Sequence, residues 1–250
     1  NASAVVVDGV RPAFTAGATT GGTKSLVLSL GEAVSGAPEA GDFAVTVNDV
    51  ANAVTAVSLA GNGLSITLTL TNFVTNSSTV AVAYTANSDA SKQLSDASGN
   101  TVASNSSLSS ITVTNDTNAP TVSSVSSNTA DGTYKIGDVI AIAVELSEVV
   151  TVTGTPQLTL ETGTTDRTAD YASGSGTNTL VFNYTVQSGD ATSDLAYTGS
   201  SSLAFNGGTI LDNANNSATL TLPTVGGTGS LSNASAVVVD GVRPAFTAGA

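Results

Sequence analysis

Apolar and polar residues alternate with a period of two along much of the chain. Leu26-Val27-Leu28-Ser29-Leu30, Ile66-Thr67-Leu68-Thr69-Leu70, Val80-Ala81-Val82-Ala83-Tyr84, Ile140-Ala141-Ile142-Ala143-Val144 and Ala218-Thr219-Leu220-Thr221-Leu222 carry the pattern and are rich in β-branched residues. Alternation sends every second side chain to the same face of an extended strand, so these segments predict half-buried antiparallel strands. Clusters such as Gly61-Asn62-Gly63 and Asn206-Gly207-Gly208 separate them, and these residue types tolerate left-handed turn geometry. Helix is nearly absent from the pattern. One turn or two is expected around 90–94, where Ser91-Lys92-Gln93-Leu94 interrupts a loop.

The chain also repeats itself. Residues 1–18, NASAVVVDGVRPAFTAGA, recur letter for letter as residues 233–250. Such identity marks one full period of a tandem array followed by the opening of the next copy. A weaker repetition lies inside the period: Asp8, Asp116 and Asp240 each stand four residues before a proline, at Pro12, Pro120 and Pro244. The intervals between these prolines are close to the roughly 100 residues of an immunoglobulin-like sandwich. The expected fold is therefore all-β, with tandem immunoglobulin-like β-sandwich modules arranged head to tail. Residues 1–9 read as the last strand and linker of a preceding repeat, 10–116 as a first module, 117–240 as a second, and 241–250 as the start of the next repeat. Ala4 to Val7 and Ala236 to Val239 are expected to be equivalent closing strands, the first completed by a preceding repeat or a neighbouring chain.

Aligning the modules at these joints brings acids into correspondence. Glu32, in Leu30-Gly31-Glu32-Ala33-Val34, matches Glu148, in Leu146-Ser147-Glu148-Val149-Val150. Asp96, in Asp96-Ala97-Ser98-Gly99-Asn100, matches Asp212, in Asp212-Asn213-Ala214-Asn215-Asn216. In a sandwich whose chain reverses at every strand, both loops lie at the end where the chain enters. Glu32 and Asp96 should thus converge on Asp8, and Glu148 and Asp212 on Asp116. Oxygen-rich clusters of this kind suit Ca²⁺, which takes six to eight oxygen ligands. Asp and Asn are equally ordinary turn formers, and the residues alone leave both readings open.

Composition narrows the chemistry. Nineteen Asp and Glu stand against six Lys and Arg, a formal net charge of −13, and the chain has no Cys, His, Met or Trp. Disulfides, thiolate nucleophiles, histidine-based metal sites and Ser-His-Asp relays are excluded, so any metal must be held by oxygen. The acidic balance argues against nucleic acid, whose phosphates are bound through Lys and Arg. No apolar run is long enough to span a bilayer, and no signal peptide opens the chain; membrane insertion is not expected and export would be directed from outside this window. Paired carboxylates are also what a glycosidase uses. With five Tyr and six Phe the chain offers few aromatic platforms for a ligand, however, and no catalytic residue is assigned. Asn76-Ser77-Ser78 and three similar triplets match the glycosylation pattern, as a chain rich in Asn, Ser and Thr will by composition. Lys24, Lys92 and Lys135 read as solvated, and Arg11 and the Asp166-Arg167 pair as surface charge.

The residues from Asn118-Ala119-Pro120-Thr121-Val122 through Gly137-Asp138-Val139-Ile140, Ser147-Glu148-Val149-Val150, Pro156-Gln157-Leu158-Thr159-Leu160-Glu161, Asn183-Tyr184-Thr185-Val186 and Leu211-Asp212 resemble the bacterial immunoglobulin-like SWM repeat. The first module, with Gly41-Asp42-Phe43, Val80 to Thr85 and Asp96 to Asn100, is similar to the companion repeat of the same giant surface proteins. The resemblance implies a secreted or surface-anchored bacterial protein acting as adhesin stalk, matrix or filament component. Its partners would be adjacent identical repeats and neighbouring chains. It also implies structural Ca²⁺ at module joints, held by Asp8, Glu32 and Asp96 and by Asp116, Glu148 and Asp212. Asn215 departs from the glycine of the Asp-x-x-Gly-Asn pattern, which puts the Asp212 site in question. The alternative function is an adhesive module that itself binds carbohydrate or protein.

Overall fold

Strands dominate a computed structural model that describes residues 8–104, 106–109 and 111–244. The described residues are all-β apart from a 3-10 turn at Ala40–Asp42 and one helical turn at Leu231–Ala234. It divides into two units, Asn1–Thr117 with Asn213–Asn215, and Asn118–Asp212 with Asn216–Ala250.

The first unit contains β1 (Phe14–Thr20), β2 (Thr23–Leu30), β3 (Phe43–Val47), β4 (Val50–Ala51), β5 (Val54–Leu59), β6 (Ser65–Val74), β7 (Val80–Tyr84), β8 (Ser106–Leu108) and β9 (Thr112–Thr114). They form a sheet in the order β5-β6-β2-β1-β9 and another in the order β4-β3-β7-β8. Most neighbours are antiparallel, but β9 runs parallel to β1, with Thr19 opposite Val113. The alternation seen in the sequence becomes burial: Leu26 and Leu28 of β2 and Ile66 and Leu68 of β6 are fully buried, while Val27 remains exposed. These side chains share one cluster with Phe43, Val45, Val80, Val82 and Tyr84 of the other sheet, so the two sheets close on a common core. Phe14, Phe43 and Tyr84 meet there with ring centroids 5.2 to 6.4 Å apart.

The second unit contains β10 (Val122–Ser127), β11 (Gly132–Lys135), β12 (Val139–Thr153), β13 (Gln157–Glu161), β14 (Arg167–Ser173), β15 (Thr177–Thr185), β16 (Ala191–Thr192), β17 (Ala196–Tyr197), β18 (Leu203–Ala204), β19 (Thr209–Leu211) and β20 (Val237–Asp240). The larger sheet runs β10-β12-β15-β14-β13-β17, with β18 on β13 and β19 on β12; the smaller is β11-β20-β16. As β9 does in the first unit, β20 closes the second by pairing in parallel with an early strand, Val237 opposite Gly132. Ile140, Ile142 and Val144 of β12 join Leu180, Phe182 and Tyr184 of β15 and Val237 and Val239 of β20 in a separate core.

Three expectations meet a different outcome. Ala218 to Leu222 is no strand, although Ala218 and Leu222 are buried as the alternation requires; backbone pairing there reduces to single bridges such as Thr121 to Thr219. The helical turn expected at 90–94 reduces to a single hydrogen-bonded turn, Lys92 N–H to the Asp89 carbonyl at 3.0 Å, with no helix. Asp89 Oδ1 also accepts from the Ser91 N–H at 2.9 Å, and Gln93 Nε2 donates to the Asn87 carbonyl at 2.7 Å. These local bonds give the backbone an alternative to the helical ladder. Glu148 was expected in a loop after a strand but lies within the long strand β12, in the stretch where its register against β15 breaks between Glu145 and Val150. The Ala4 to Val7 strand lies outside the described residues.

Candidate metal-binding site

In the first unit, residues distant in sequence are drawn together by backbone bonds. Glu32 follows the end of β2, and Asp96 lies in the loop between β7 and β8. Ser35 and Ser95 exchange both backbone hydrogen bonds, at 2.8 and 3.0 Å, which fixes the Glu32 turn against the Asp96 loop. Gly31 N–H donates to the Ala13 carbonyl at 3.0 Å, and Asn100 Nδ2 donates to the Asp8 carbonyl at 3.2 Å, tying the entering chain to both. As a result one carboxylate oxygen each from Asp8, Glu32 and Asp96 lies within 4.8 Å of the other two. Asp8, Val10, Arg11, Ala13, Gly31 and Glu32 line the open hollow beside them.

Asp96 is buried, and its carboxylate is held in place by its own loop. Oδ1 accepts from the backbone N–H of Ser98 and of Asn100, each at 2.8 Å, and Oδ2 accepts from Asn100 Nδ2 at 2.8 Å. Burial pushes its pKa up, but the bonds from Asn100, Ser98 and Gly99 outweigh it and hold the carboxyl below its usual range. Glu32 behaves oppositely. Desolvation first, then the charges of Asp8 and Asp96, raises its pKa. The cluster thus sets an aspartate with a lowered pKa beside a glutamate whose pKa is raised by desolvation and by its neighbours' charge.

This donor set fits a hard cation. Ca²⁺ binds oxygens at about 2.3–2.6 Å, so two oxygens on one ion stand no more than about 5 Å apart. The three carboxylates satisfy that bound, and a cation among them would offset the repulsion that adds to desolvation in raising Glu32. Carbonyl and water oxygens would have to complete the six to eight ligands.

The same loop recurs at residues 212–216. Asp212 is buried; its Oδ1 accepts from the Asn216 N–H at 2.8 Å and its Oδ2 from Asn216 Nδ2 at 2.8 Å, while Asn216 Nδ2 also donates to the Asn118 carbonyl at 3.1 Å. Asn215 does not disturb the turn. Its φ of 71° matches the 87° of Gly99 at the corresponding place, because asparagine enters the left-handed region more readily than other side chains. Glu148 is half-buried on β12 of this unit. Asp116 belongs to the first unit, where Asn76 brackets its backbone: Asp116 N–H donates to Asn76 Oδ1 at 2.9 Å and Asn76 Nδ2 to the Asp116 carbonyl at 2.7 Å.

Sequence reasoning named the acids and missed the amides that orient them. Asn100 and Asn216 were visible as the recurring last letters of each loop motif, and Asn76 only as part of a composition-driven triplet. The charge assignments also change. Arg167 pairs not with Asp166 but with Asp190, Nε to Oδ1 at 2.9 Å, and Asp190 is buried and also accepts from the Tyr184 hydroxyl at 2.6 Å and the Gln187 N–H at 2.9 Å. Lys92 meets Glu39 at 2.6 Å, Lys135 meets Asp138 at 2.7 Å, and Lys24 Nζ lies 4.7 Å from the centre of the Phe73 ring.

No helix among the described residues is long and apolar enough to cross a membrane. No curated protein matches the chain. Among solved structures it is similar to the N-terminal part of the bacterial S-layer protein SbsC, at 14% identity and a TM-score of 0.34, over 81% of this chain and 44% of that one. It is similar also to the S-layer protein rSbsC(31-844), at 12% identity and a TM-score of 0.34, over 84% of this chain and 34% of that one. Domains 1–6 of surface layer protein SbsC match at 14% identity and a TM-score of 0.35, over 82% and 26%. The chain therefore spans less than half the length of each of these structures. Residues 5–89 match the SWM repeat, described as "Putative flagellar system-associated repeat", so the family resemblance holds, on the first module rather than on the residues from Asn118 to Asp212 that suggested it.

Proposed function

We propose that this chain is a structural repeat of a long bacterial surface protein, a spacer in an adhesin stalk, matrix or filament. In this reading its two units are immunoglobulin-like sandwiches joined head to tail, and the chain is not an enzyme. The observation that carries the proposal is the recurrence of residues 1–18 as 233–250, which makes the chain one period of a tandem array. Two units with separate cores supply what such an array needs, since each can fold before its neighbour is made. The match of residues 5–89 to the SWM repeat supports a structural repeat. A surface location and partners in the form of adjacent repeats follow from the same reading.

Calcium belongs to this proposal. Asp8 comes from the segment that enters the first unit, whereas Glu32 and Asp96 come from inside it, so an ion shared by the three would tie the entering chain to the unit. By sequence correspondence Asp116, Glu148 and Asp212 would serve the next joint. Short linkers otherwise leave neighbouring domains free to move. The test is the melting temperature of the full chain in millimolar Ca²⁺ and in EDTA. Calcium should raise it by mass action, and Glu32→Ala should abolish the difference. Identical curves for the unaltered chain in both buffers would remove calcium from the reading. Electron microscopy of the native particle tests the array itself, which should appear as beads along a fibre.

A further inference from the structure

The closing strand of the second unit sits in a seat made by two other strands of that unit. β20 lies between β11, with which it is parallel from Val237 opposite Gly132 to Asp240 opposite Lys135, and β16, with which it is antiparallel. Val237 and Val239 point into the core and are almost wholly buried. Backbone bonds hold both ends: Gly132 N–H donates to the Ala236 carbonyl at 3.1 Å, Leu195 N–H to the Val237 carbonyl at 2.8 Å, and Gly241 N–H to the Asp190 carbonyl at 2.7 Å. Asp131 Oδ1 accepts from the Ala236 N–H at 2.8 Å, and Ser127 N–H donates to Ser235 Oγ at 2.9 Å. Gly241 passes so close that a Cβ there would fall 2.2 Å from the Gln187 carbonyl oxygen, so the seat also demands a glycine after the aspartate.

Residues 1–12 meet every one of these demands, because they are identical to 233–244. The described end of that first copy already takes the local shape of the second. Asp8 Oδ1 accepts from the Val10 N–H at 3.0 Å, as Asp240 Oδ1 accepts from the Val242 N–H at 3.2 Å. β11 and β16, the strands that make the seat, both precede β20 in the chain and hold it through backbone pairing.

We infer that residues 1–12 of one copy of this chain can occupy the β20 seat of another, linking chains head to tail by strand exchange. The interface is heterologous, because donor and seat are different segments of the chain, so the contact can repeat from copy to copy. The resident strand competes at the high effective concentration of a tethered segment, about millimolar for short flexible linkers, so exchange requires β20 to open first. The inference goes beyond the spacer reading and needs no metal. Its test is run in EDTA, so that its outcome is separate from that of calcium.

The probe is a fluorescent synthetic peptide of residues 1–12. In one arm the unaltered full chain is heated and cooled with excess peptide. In the other, full-length Val237→Asp/Val239→Asp chain, whose own β20 carries charges into the core, receives the peptide without heating. Label should travel with the chain on size exclusion, near one peptide per chain in the variant, and a scrambled peptide should stay free. Without peptide the variant should form concentration-dependent oligomers through its own residues 1–12, and adding Val5→Asp/Val7→Asp should return it to monomer. Specific retention of label in either arm supports the inference. Label that remains free in both arms, with the variant monomeric at all concentrations, overturns it.

Discussion

Ser35 and Ser95 exchange both of their backbone hydrogen bonds, and this single bridge sets Glu32 beside Asp96 across most of the first unit. The Ser35 hydroxyl adds a longer bond to the Ser95 carbonyl, at 3.3 Å. The pairing follows from the strands on either side, and it gives an acidic cluster a fixed geometry.

The amide of Asn100 should matter more than its exposure suggests. Asn100→Ala removes a donor from Asp96 Oδ2 and from the Asp8 carbonyl, leaving a buried carboxylate short of a partner. A loss of about 1–3 kcal/mol is expected in urea unfolding of the first unit. Asn216→Ala should do the same in the second unit through Asp212. A cost within experimental error in both would show that water replaces these amides.

Asn215 stands in left-handed backbone at a φ of 71°. Asn215→Ala should therefore cost about 1–2 kcal/mol, while Asn215→Gly should be close to neutral. Equal effects of the two substitutions would mean that the side chain, rather than the backbone, is what the turn requires.

Stability in EDTA should fall with pH on account of Glu32. Its pKa in the folded chain is raised above the ordinary 4.5, by desolvation and by Asp8 and Asp96. The folded state therefore holds this proton more tightly than the unfolded state. The associated stability is present below pH 4.5 and is lost as pH rises through the raised value. Glu32→Gln should accordingly raise the melting temperature at pH 7 and leave it nearly unchanged at pH 4. The opposite order, stabilisation confined to acid, would contradict this electrostatic account.

Asp190 carries the reverse sign. Burial raises its pKa, but the bonds from Tyr184, Arg167 and Gln187 outweigh that and lower it below 3.8. Its contribution is present above pH 3.8 and is lost as pH falls through the lowered folded value. Asp190→Ala leaves the Tyr184 hydroxyl and Arg167 without their acceptor and should cost about 3–5 kcal/mol, toward the lower end because Arg167 is partly exposed. Guanidinium unfolding of the second unit reads this directly, and acid sensitivity below pH 4 should diminish in the variant.

The sequence by itself determined what depends on neighbours a few residues away. Period-two alternation named Leu26, Leu28, Ile66, Leu68, Ile140 and Ile142 as core, since a pleated strand converts sequence parity into facing direction. The recurring Asp and Asn of 96–100 and 212–216 announced a repeated loop, because both ends of each turn lie within five residues. Tertiary structure decided the rest. Whether an alternating segment joins a ladder depends on a partner strand being in reach, and Ala218 to Leu222 buries its alternate residues without one. Arg167 chose Asp190 over adjacent Asp166 because Asp190, buried and bonded to Tyr184, is an acceptor whose desolvation demands compensation, a demand no local reading can see. The parallel closures of β1 by β9 and of β11 by β20 likewise join distant segments, whose pairing is set by sheet register and core packing.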